Sequence, residues 1–301
     1  MRALEVDNGS GLAMTFLPDR ALDIPFLRYK GVNVSFASKV GLRAPAFYVE
    51  EAGRGFLKQF NAGMLTTCGM TYAGAACEDG ERKLGLHGPV SNTPASKVAY
   101  ETIYEGDEAI LRLRGEVREA CVFEENLLLT REVRIHTEKN VYQVVDRVEN
   151  QGFAASPMML IYHINFGYPF LDAGARIYVN SGHVEPRDAF AAEGLSIHDL
   201  MEAPEIGREE QCYFHTGFPA QGFAMLHNEK LGMAAALRFD GQARFRPLRF
   251  LRAVAGPCFT PAICCYRSAA YKKSFAQKRS ALCNRAARIR ESRPQNQPEA
   301  L

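Results

Sequence analysis

The chain has 301 residues, of which 47% are hydrophobic and 23% are charged, the balance of an ordinary folded globular protein. A chain of this length can bury a large core without a disulfide or a metal staple. No run approaches about 18 consecutive apolar residues, and no apolar segment follows the first positive charge, so we predict a cytoplasmic protein without a membrane span. The eight cysteines are scattered without a CxxC pair, which indicates reduced thiols.

Charge is divided unevenly along the chain. Residues 1–243 contain 23 Lys and Arg against 32 Asp and Glu, whereas residues 244–301 contain 13 against 2. The net charge of +2 conceals this change from an acidic body to a strongly basic end. We therefore expect a folded domain over residues 1–243 and an atypical basic tail over residues 244–301 that contains half of the cysteines.

Apolar and polar residues alternate along much of the first 240 positions. The alternation over residues 111–118 predicts a half-buried antiparallel strand, and two β-rich runs around a polar turn predict a hairpin over residues 127–148. Further short strands are predicted at residues 157–164, 175–179, 222–226 and 233–239, and one short helix within residues 189–201. Many short strands separated by turn residues favour a mostly β, antiparallel sandwich.

Two of the seven histidines stand in unusual surroundings. His87 lies among glycines just before a proline, and His163 ends an apolar run that opens into a Gly/Pro loop. Histidine suits proton transfer near neutral pH because its unperturbed pKa is about 6.5. The neighbouring Tyr162, Phe166 and Tyr168 offer apolar faces that suit the C–H side of a sugar ring, although such aromatic residues usually belong to the core.

Four segments carry a resemblance to a known family. They keep their order along the chain and resemble the aldose 1-epimerase-like bacterial proteins of the galactose mutarotase superfamily over about residues 1–240. The last segment, which contains His163, is the most specific of the four. The segments are residues 17–24, 61–69, 85–94 and 162–167.

The resemblance implies a β-supersandwich and acid–base interconversion of the α and β anomers of an aldose, with no metal or organic cofactor. The expected partner is a small sugar, with no membrane and no nucleic acid, and the oligomeric state is left open. The family places the acid at the position of His163, uses the histidine matched by His87 to hold or polarise the sugar oxygens, and takes its base from a glutamate near the C-terminus. The expected substrate-binding residues are Arg20, Asp23, Asn165 and Asp188.

The expected glutamate has no counterpart, because no acid occurs between Asp240 and Glu291. Three explanations are open. A frame disruption could have replaced the native C-terminus and left a disordered tail, or the tail could be a basic appendage for nucleic acid or another anionic partner. Alternatively, the tail folds divergently and Glu78, Asp79 or Asp188 serves as the base. Because no strand alternation persists in the tail, we expect one edge of the sandwich to lack a strand.

Two other classes of protein fit parts of the sequence. A sugar-binding pseudoenzyme would keep the pocket without the base, and for this chain we expect weak or no epimerase activity. His136 and Glu138 have the spacing of two ligands of a metal-dependent β-sandwich enzyme, but they run into a predicted hairpin turn. The sequence lacks the GxGxxG, GxxxxGK[ST], GxSxG and HExxH motifs, which argues against nucleotide binding and against serine hydrolase or zincin chemistry.

Overall fold

A computed structural model describes residues 1–240 in full and, beyond them, only the backbone of residues 246–255, 258–269 and 281–291. In this part of the chain no helix is long and apolar enough to cross a membrane. Two short helices are α1 (Gly55–Gln59) and α2 (Ala189–Glu193). The strands are β1 (Leu4–Asp7), β2 (Leu12–Leu17), β3 (Asp23–Tyr29), β4 (Val32–Asn33), β5 (Thr66–Met70), β6 (Cys77–Asp79), β7 (Arg82–Leu84), β8 (Ser96–Glu105), β9 (Glu108–Ala120), β10 (Asn126–His136), β11 (Val141–Asn150), β12 (Met158–Asn165), β13 (Arg176–Val179), β14 (His183–Pro186), β15 (Gln211–Thr216), β16 (Gln221–Asn228), β17 (Met233–Asp240), β18 (Arg246–Ala255), β19 (Cys258–Ala269) and β20 (Ala281–Glu291).

Two large antiparallel sheets form the body of the molecule. One has eight strands in the order β13-β16-β17-β20-β11-β10-β9-β8, and the other has six in the order β14-β15-β18-β19-β12-β5. A third sheet has the order β1-β2-β3-β4, and β6 pairs with β7 in a small hairpin. The main apolar core takes side chains from all three larger sheets, for example Leu27, Val133 and Leu160. The predicted antiparallel β-sandwich is confirmed.

The predicted hairpin around residues 138–140 is also confirmed. β10 pairs with β11 in a register that sets Leu129 opposite Val148 and Val133 opposite Val144, and all four side chains are buried. Their alternation with more exposed residues is what made the strands visible in the sequence. The short helix predicted within residues 189–201 is confirmed, because α2 spans Ala189–Glu193 and a 3₁₀ turn follows at Leu195–Ile197.

The basic segment after residue 243 supplies interior strands to both large sheets. β18 and β19 lie between β15 and β12, and β20 lies between β17 and β11. The expectation of a sandwich edge without its strand is therefore wrong. Strand pairing uses backbone N–H and C=O groups, whereas side-chain alternation reports only which face is buried, so a segment without alternation can still pair. The tail was also predicted to be disordered. For residues 241–245, 256–257, 270–280 and 292–301 this prediction lies outside the described residues.

A buried ion-pair network connects the eight-stranded sheet to strands β5 and β12 of the six-stranded sheet. Arg131 is fully buried and donates to the two carboxylate oxygens of Asp146 at 2.9 and 2.7 Å and to Asp23 at 3.1 Å. The hydroxyl of Tyr162 donates to Asp146 at 2.9 Å, and that of Thr67 donates to Asp23 at 2.6 Å. Breaking such a pair costs about 3–5 kcal/mol, so the network holds β5 and β12 in place against the eight-stranded sheet.

Candidate functional site

His163 lies on the face of β12 that points away from the main core. Side chains alternate along the strand, so Leu160 and Tyr162 pack into the main core, whereas Ile161 and His163 share the opposite face. The side chain of His163 is almost completely covered, at 5% exposure. It therefore stands over a second, smaller apolar cluster, which consists of Phe56, Cys68, Ala73 and Ile161 with Phe60, Leu86 and Met159 packed against them.

His87 is held in a loop that folds back onto the end of β5. Its backbone N–H donates to the Gly74 carbonyl at 2.9 Å, and its own carbonyl accepts from the Gly69 N–H at 3.0 Å. The next residue, Gly88, has a φ of +69°, and a Cβ there would lie only 2.4 Å from the carbonyl oxygen of Tyr72. Glycine is required at this position because any side chain would push the loop, and His87 with it, away from β5.

The structure brings the two histidines together under the rings of α1. The ring centroids of His87 and His163 are 5.9 Å apart, with an interplanar angle of 77°. Phe56 lies 4.9 Å from His87 and Phe60 lies 5.0 Å from His163, measured between ring centroids. These four side chains define what we call the histidine pocket. The sequence reasoning missed the two phenylalanines, because α1 is too short for its helical periodicity to be recognised.

Burial controls the protonation of His163. Its pKa is lowered to about 3, first by burial and then by the neighbouring His87, against a hydrogen bond with Asn165 that raises it. None of these three influences comes from a carboxylate. At pH 7 the imidazole of His163 is therefore neutral, with one N–H to donate and one nitrogen lone pair to accept.

Two of the predicted sugar ligands, Asn165 and Asp23, are fully surrounded by protein. The amide nitrogen of Asn165 donates to the carbonyls of Gly63 at 2.9 Å and His163 at 3.1 Å, which ties the end of β12 to the chain before β5. Asp23 belongs to the buried network, where its two oxygens accept from the N–H and hydroxyl of Thr67 at 2.9 and 2.6 Å. Asn165 thus adjoins the histidine pocket, while the carboxylate of Asp23 is engaged by protein donors.

Arg20 connects three loops around the pocket. Its guanidinium is buried and donates to the backbone carbonyls of Ser91 at 3.0 Å, Gln59 at 3.0 Å and Arg43 at 3.1 Å. Burial lowers the pKa of Arg20, and the charge of Asp23 opposes that effect. Arg20 thereby holds the segment that carries α1 at two points, because it binds Arg43, which precedes the helix, and Gln59, the last residue of the helix.

The carboxylates considered as alternative bases lie on exposed elements. Asp188 is the N-cap of α2, where it accepts from the Ala191 N–H at 2.9 Å and from the Arg187 guanidinium at 2.7 Å. The Ala191 N–H, followed by Arg187, lowers the pKa of Asp188. Glu78 and Asp79 are exposed on β6, and the β6–β7 hairpin leads directly into the His87 loop.

The metal-site alternative finds no support in the geometry around His136. Its Nδ1 lies 2.9 Å from the carboxylate of Glu108, which also accepts from Lys139 at 3.0 Å. Among the residues that the structure describes, no group of three or more His, Cys, Asp or Glu side chains is arranged to hold a metal ion.

Two further features lie outside the histidine pocket. His198 and His215 form a second histidine pair, with ring centroids 5.8 Å apart, and the hydroxyl of Ser181 lies 2.9 Å from His215 Nδ1. The sequence reasoning did not single out this pair, since neither residue has an unusual local context. An open cleft of about 320 Å³ lies on the four-stranded sheet β1-β2-β3-β4 and is lined by Glu5, Ala13, Met14, Thr15, Phe26 and Arg28.

The fold is that of a galactose mutarotase-like antiparallel β-sandwich. A crystal structure from Klebsiella pneumoniae subsp. pneumoniae, described as a candidate aldose 1-epimerase, matches with a TM-score of 0.81 and 24% identity over 93% of this chain and 75% of that chain. The galactose 1-epimerase from Lactobacillus acidophilus matches with a TM-score of 0.58 and 12% identity over 97% and 95%. The GalM/aldose epimerase homologue from C. elegans matches equally well, with a TM-score of 0.58 and 12% identity over 97% and 99%.

The chain belongs to the family described as "Domain of unknown function (DUF4432)", whose model matches residues 1–244. The matched segment ends at the change from acidic to basic composition. No curated protein matches the sequence. Because these three structures are each less than 25% identical to the chain, the similarities define the fold, and the function has to be argued from the site.

Proposed function

We propose that the chain binds an aldose in the histidine pocket and interconverts its α and β anomers by acid–base catalysis. The observation that carries the proposal is the meeting of His87 and His163, with ring centroids 5.9 Å apart, beside two phenyl rings. Phenyl rings suit the C–H face of a sugar, and imidazoles suit its hydroxyls and ring oxygen. The names of the K. pneumoniae and L. acidophilus proteins agree with a sugar as the ligand.

The reaction needs one proton donor and one acceptor. A base takes the proton of the anomeric hydroxyl while the ring oxygen is protonated, so the bond from C1 to the ring oxygen breaks and an open-chain aldehyde forms. Rotation about the C1–C2 bond and closure on the other carbonyl face give the other anomer. Each positioned acid or base typically contributes about 10²–10⁴-fold to such a rate.

His163 fits the donor role as a neutral imidazole. With a pKa lowered to about 3 it carries no charge at pH 7, so it stabilises the developing negative charge on the ring oxygen through an N–H hydrogen bond. The ring oxygen takes up the proton that the base removes from the anomeric hydroxyl, so no net proton is gained or lost when the ring opens. His87, on its glycine-bounded loop, is then the group positioned to accept the anomeric proton. Asn165 is a proposed sugar ligand beside His163, and Arg20 holds the pocket loops. Asp23 and Asp188 stay predictions from the sequence.

A sugar-binding protein without turnover is the second candidate. It is favoured by the influences on the pKa of His163, which are burial, His87 and Asn165 and include no carboxylate of residues 1–240, the part of the chain whose side chains the structure describes. A matched carboxylate base would add about 10²–10⁴-fold. We therefore expect mutarotation by this chain to be weak, and the second candidate corresponds to a rate equal to that of buffer.

The proposal is tested by adding freshly dissolved α-anomer and following its equilibration by polarimetry or proton NMR. We expect the wild-type protein to bind the sugar and accelerate equilibration, and His163→Ala to lose the acceleration while keeping much of the affinity, because the donor acts mainly in the transition state. His183→Ala, on the exposed strand β14, is the control. Binding without acceleration establishes the second candidate, and absence of binding by every aldose tested overturns both.

A further inference from the structure

The segment that carries the phenyl rings of the histidine pocket also contains buried amide atoms without a hydrogen-bond partner. Within residues 1–240, the side-chain oxygen and nitrogen of Gln59 are both buried without a partner, and the residue is 1% exposed. The side-chain nitrogen of Asn61, two positions along, is also buried without a partner. An amide in this state has lost its hydration without compensation, which destabilises the folded protein until a partner binds.

The position of Gln59 is fixed by its backbone. It is the last residue of α1, and its carbonyl accepts from the Arg20 guanidinium and from the Asn61 N–H, each at 3.0 Å. On a helix, residues three apart share a face, so Gln59 lies on the face of α1 that also carries Phe56. Phe60, which follows directly, contacts the ring of His163. Gln59 is therefore a buried residue of α1 that lies in the chain between Phe56 and Phe60, the two residues whose rings line the pocket.

From this geometry we propose that Gln59 is a substrate-binding residue whose amide holds two neighbouring hydroxyl groups of the aldose, with Asn61 supplying a further donor. This inference rests on the proposed function. A primary amide presents one acceptor oxygen and one donor nitrogen side by side, and two adjacent sugar hydroxyls present the complementary pair. The ligand class is thus an aldose with a vicinal diol on the side of the ring that faces α1.

The unpaired amide atoms of Gln59 and Asn61 indicate a binding site because burying them without a partner is unfavourable. A buried structural amide is normally satisfied by the protein, as that of Asn8 is by the carbonyls of His136 and Lys139 and by the N–H of Leu12, whereas a ligand-binding amide waits for its ligand. A ligand lacking one hydroxyl would leave the amide partly unpaired, so the same geometry discriminates between sugars. A permanently bound water could satisfy the same atoms, and the experiment separates these two cases.

The test compares wild type with Gln59→Met, which keeps the length of the side chain and removes both polar atoms. Affinity for a panel of aldoses and their single-deoxy analogues is measured by isothermal titration calorimetry. We expect Gln59→Met to weaken binding of the parent sugar by about tenfold, since each net hydrogen bond contributes about 0.5–1.5 kcal/mol. The urea midpoint should stay equal or rise, because an unpaired buried amide has been removed. Lys58→Met, on the exposed face of the same helix, should change neither quantity.

The deoxy analogues identify a direct contact. A deoxy sugar that lacks the hydroxyl held by Gln59 should bind wild type more weakly than the parent sugar does. Gln59→Met should bind the parent and this deoxy sugar with equal affinity. If wild type and Gln59→Met bind the parent sugar with equal affinity, the assignment of Gln59 is wrong but the proposed function stands. Equal affinity together with a lower urea midpoint for Gln59→Met is the result for a structural or water-bound amide. If wild type binds no aldose, the proposed function fails and this assignment fails with it.

Discussion

Acidification should destabilise the protein through His163. The unfolded chain binds a proton on this histidine below its ordinary pKa of about 6.5, whereas the folded protein does so only near its lowered pKa of about 3. Between these values the unfolded state holds the extra proton, so the free energy of unfolding falls as the pH falls. Above about pH 6.5 neither state is protonated at this residue, and its contribution to the pH dependence vanishes.

The magnitude follows from the size of the interval. From pH 6.5 to pH 5 the loss amounts to about 2 kcal/mol, at about 1.36 kcal/mol for each pH unit. The assay is urea unfolding followed by circular dichroism at pH 7 and pH 5. His163→Gln keeps a polar side chain that does not titrate, so its loss of stability between these two pH values should be smaller than that of wild type by about 2 kcal/mol. The burial of His215, whose pKa is also lowered, affects both proteins alike.

His183→Gln serves as the control for this prediction. His183→Gln removes an exposed histidine that pairs with Glu185 on the surface strand β14, and it should leave the wild-type pH dependence unchanged. If His163→Gln loses as much stability between pH 7 and pH 5 as wild type does, the imidazole of His163 titrates normally and is not buried as described.

Three further substitutions test the scaffold of the site. Arg131→Met should lower the free energy of unfolding by about 3–5 kcal/mol in urea, because it leaves two buried carboxylates uncompensated; a loss below about 1 kcal/mol would contradict the buried network. Gly88→Ala should destabilise the protein and weaken aldose binding in calorimetry, whereas Gly80→Ala, also at positive φ but with open space around its Cβ, should leave the affinity unchanged. Phe60→Ala should weaken aldose binding in the same titration by removing a ring from the pocket, and unchanged affinity would place the sugar elsewhere.

Alternation explains which strands could be predicted from the sequence. β9, β10 and β11 each bury one face, so their apolar residues recur with a period of two. β5 was not visible because all five of its residues are buried, on both faces, and no alternation results. Arg131 stands between Leu129 and Val133 on the buried face of β10, and a charge at such a position is a sequence signal for an internal ion pair that the pattern analysis did not use.

Only those residues of the site that have an unusual local sequence context could be predicted from the sequence. His87 and His163 stand out because glycines and a strand end surround them, features that are local in the sequence. The contribution of α1 was hidden, since a helix of five residues is too short to show periodicity. The burial of Gln59 depends on contacts between distant segments, chiefly its carbonyl bond to Arg20, and no local pattern reports such contacts.

The location of a bound aldose tests the central claim most directly. A crystal structure of the protein grown with saturating aldose should show the sugar between His87 and His163, with its ring oxygen or anomeric hydroxyl within about 2.6–3.2 Å of the His163 imidazole. The amide of Gln59 should hold two of its hydroxyls. A sugar bound instead in the cleft beside Glu5 and Arg28, or an empty histidine pocket at saturating sugar, would contradict the account.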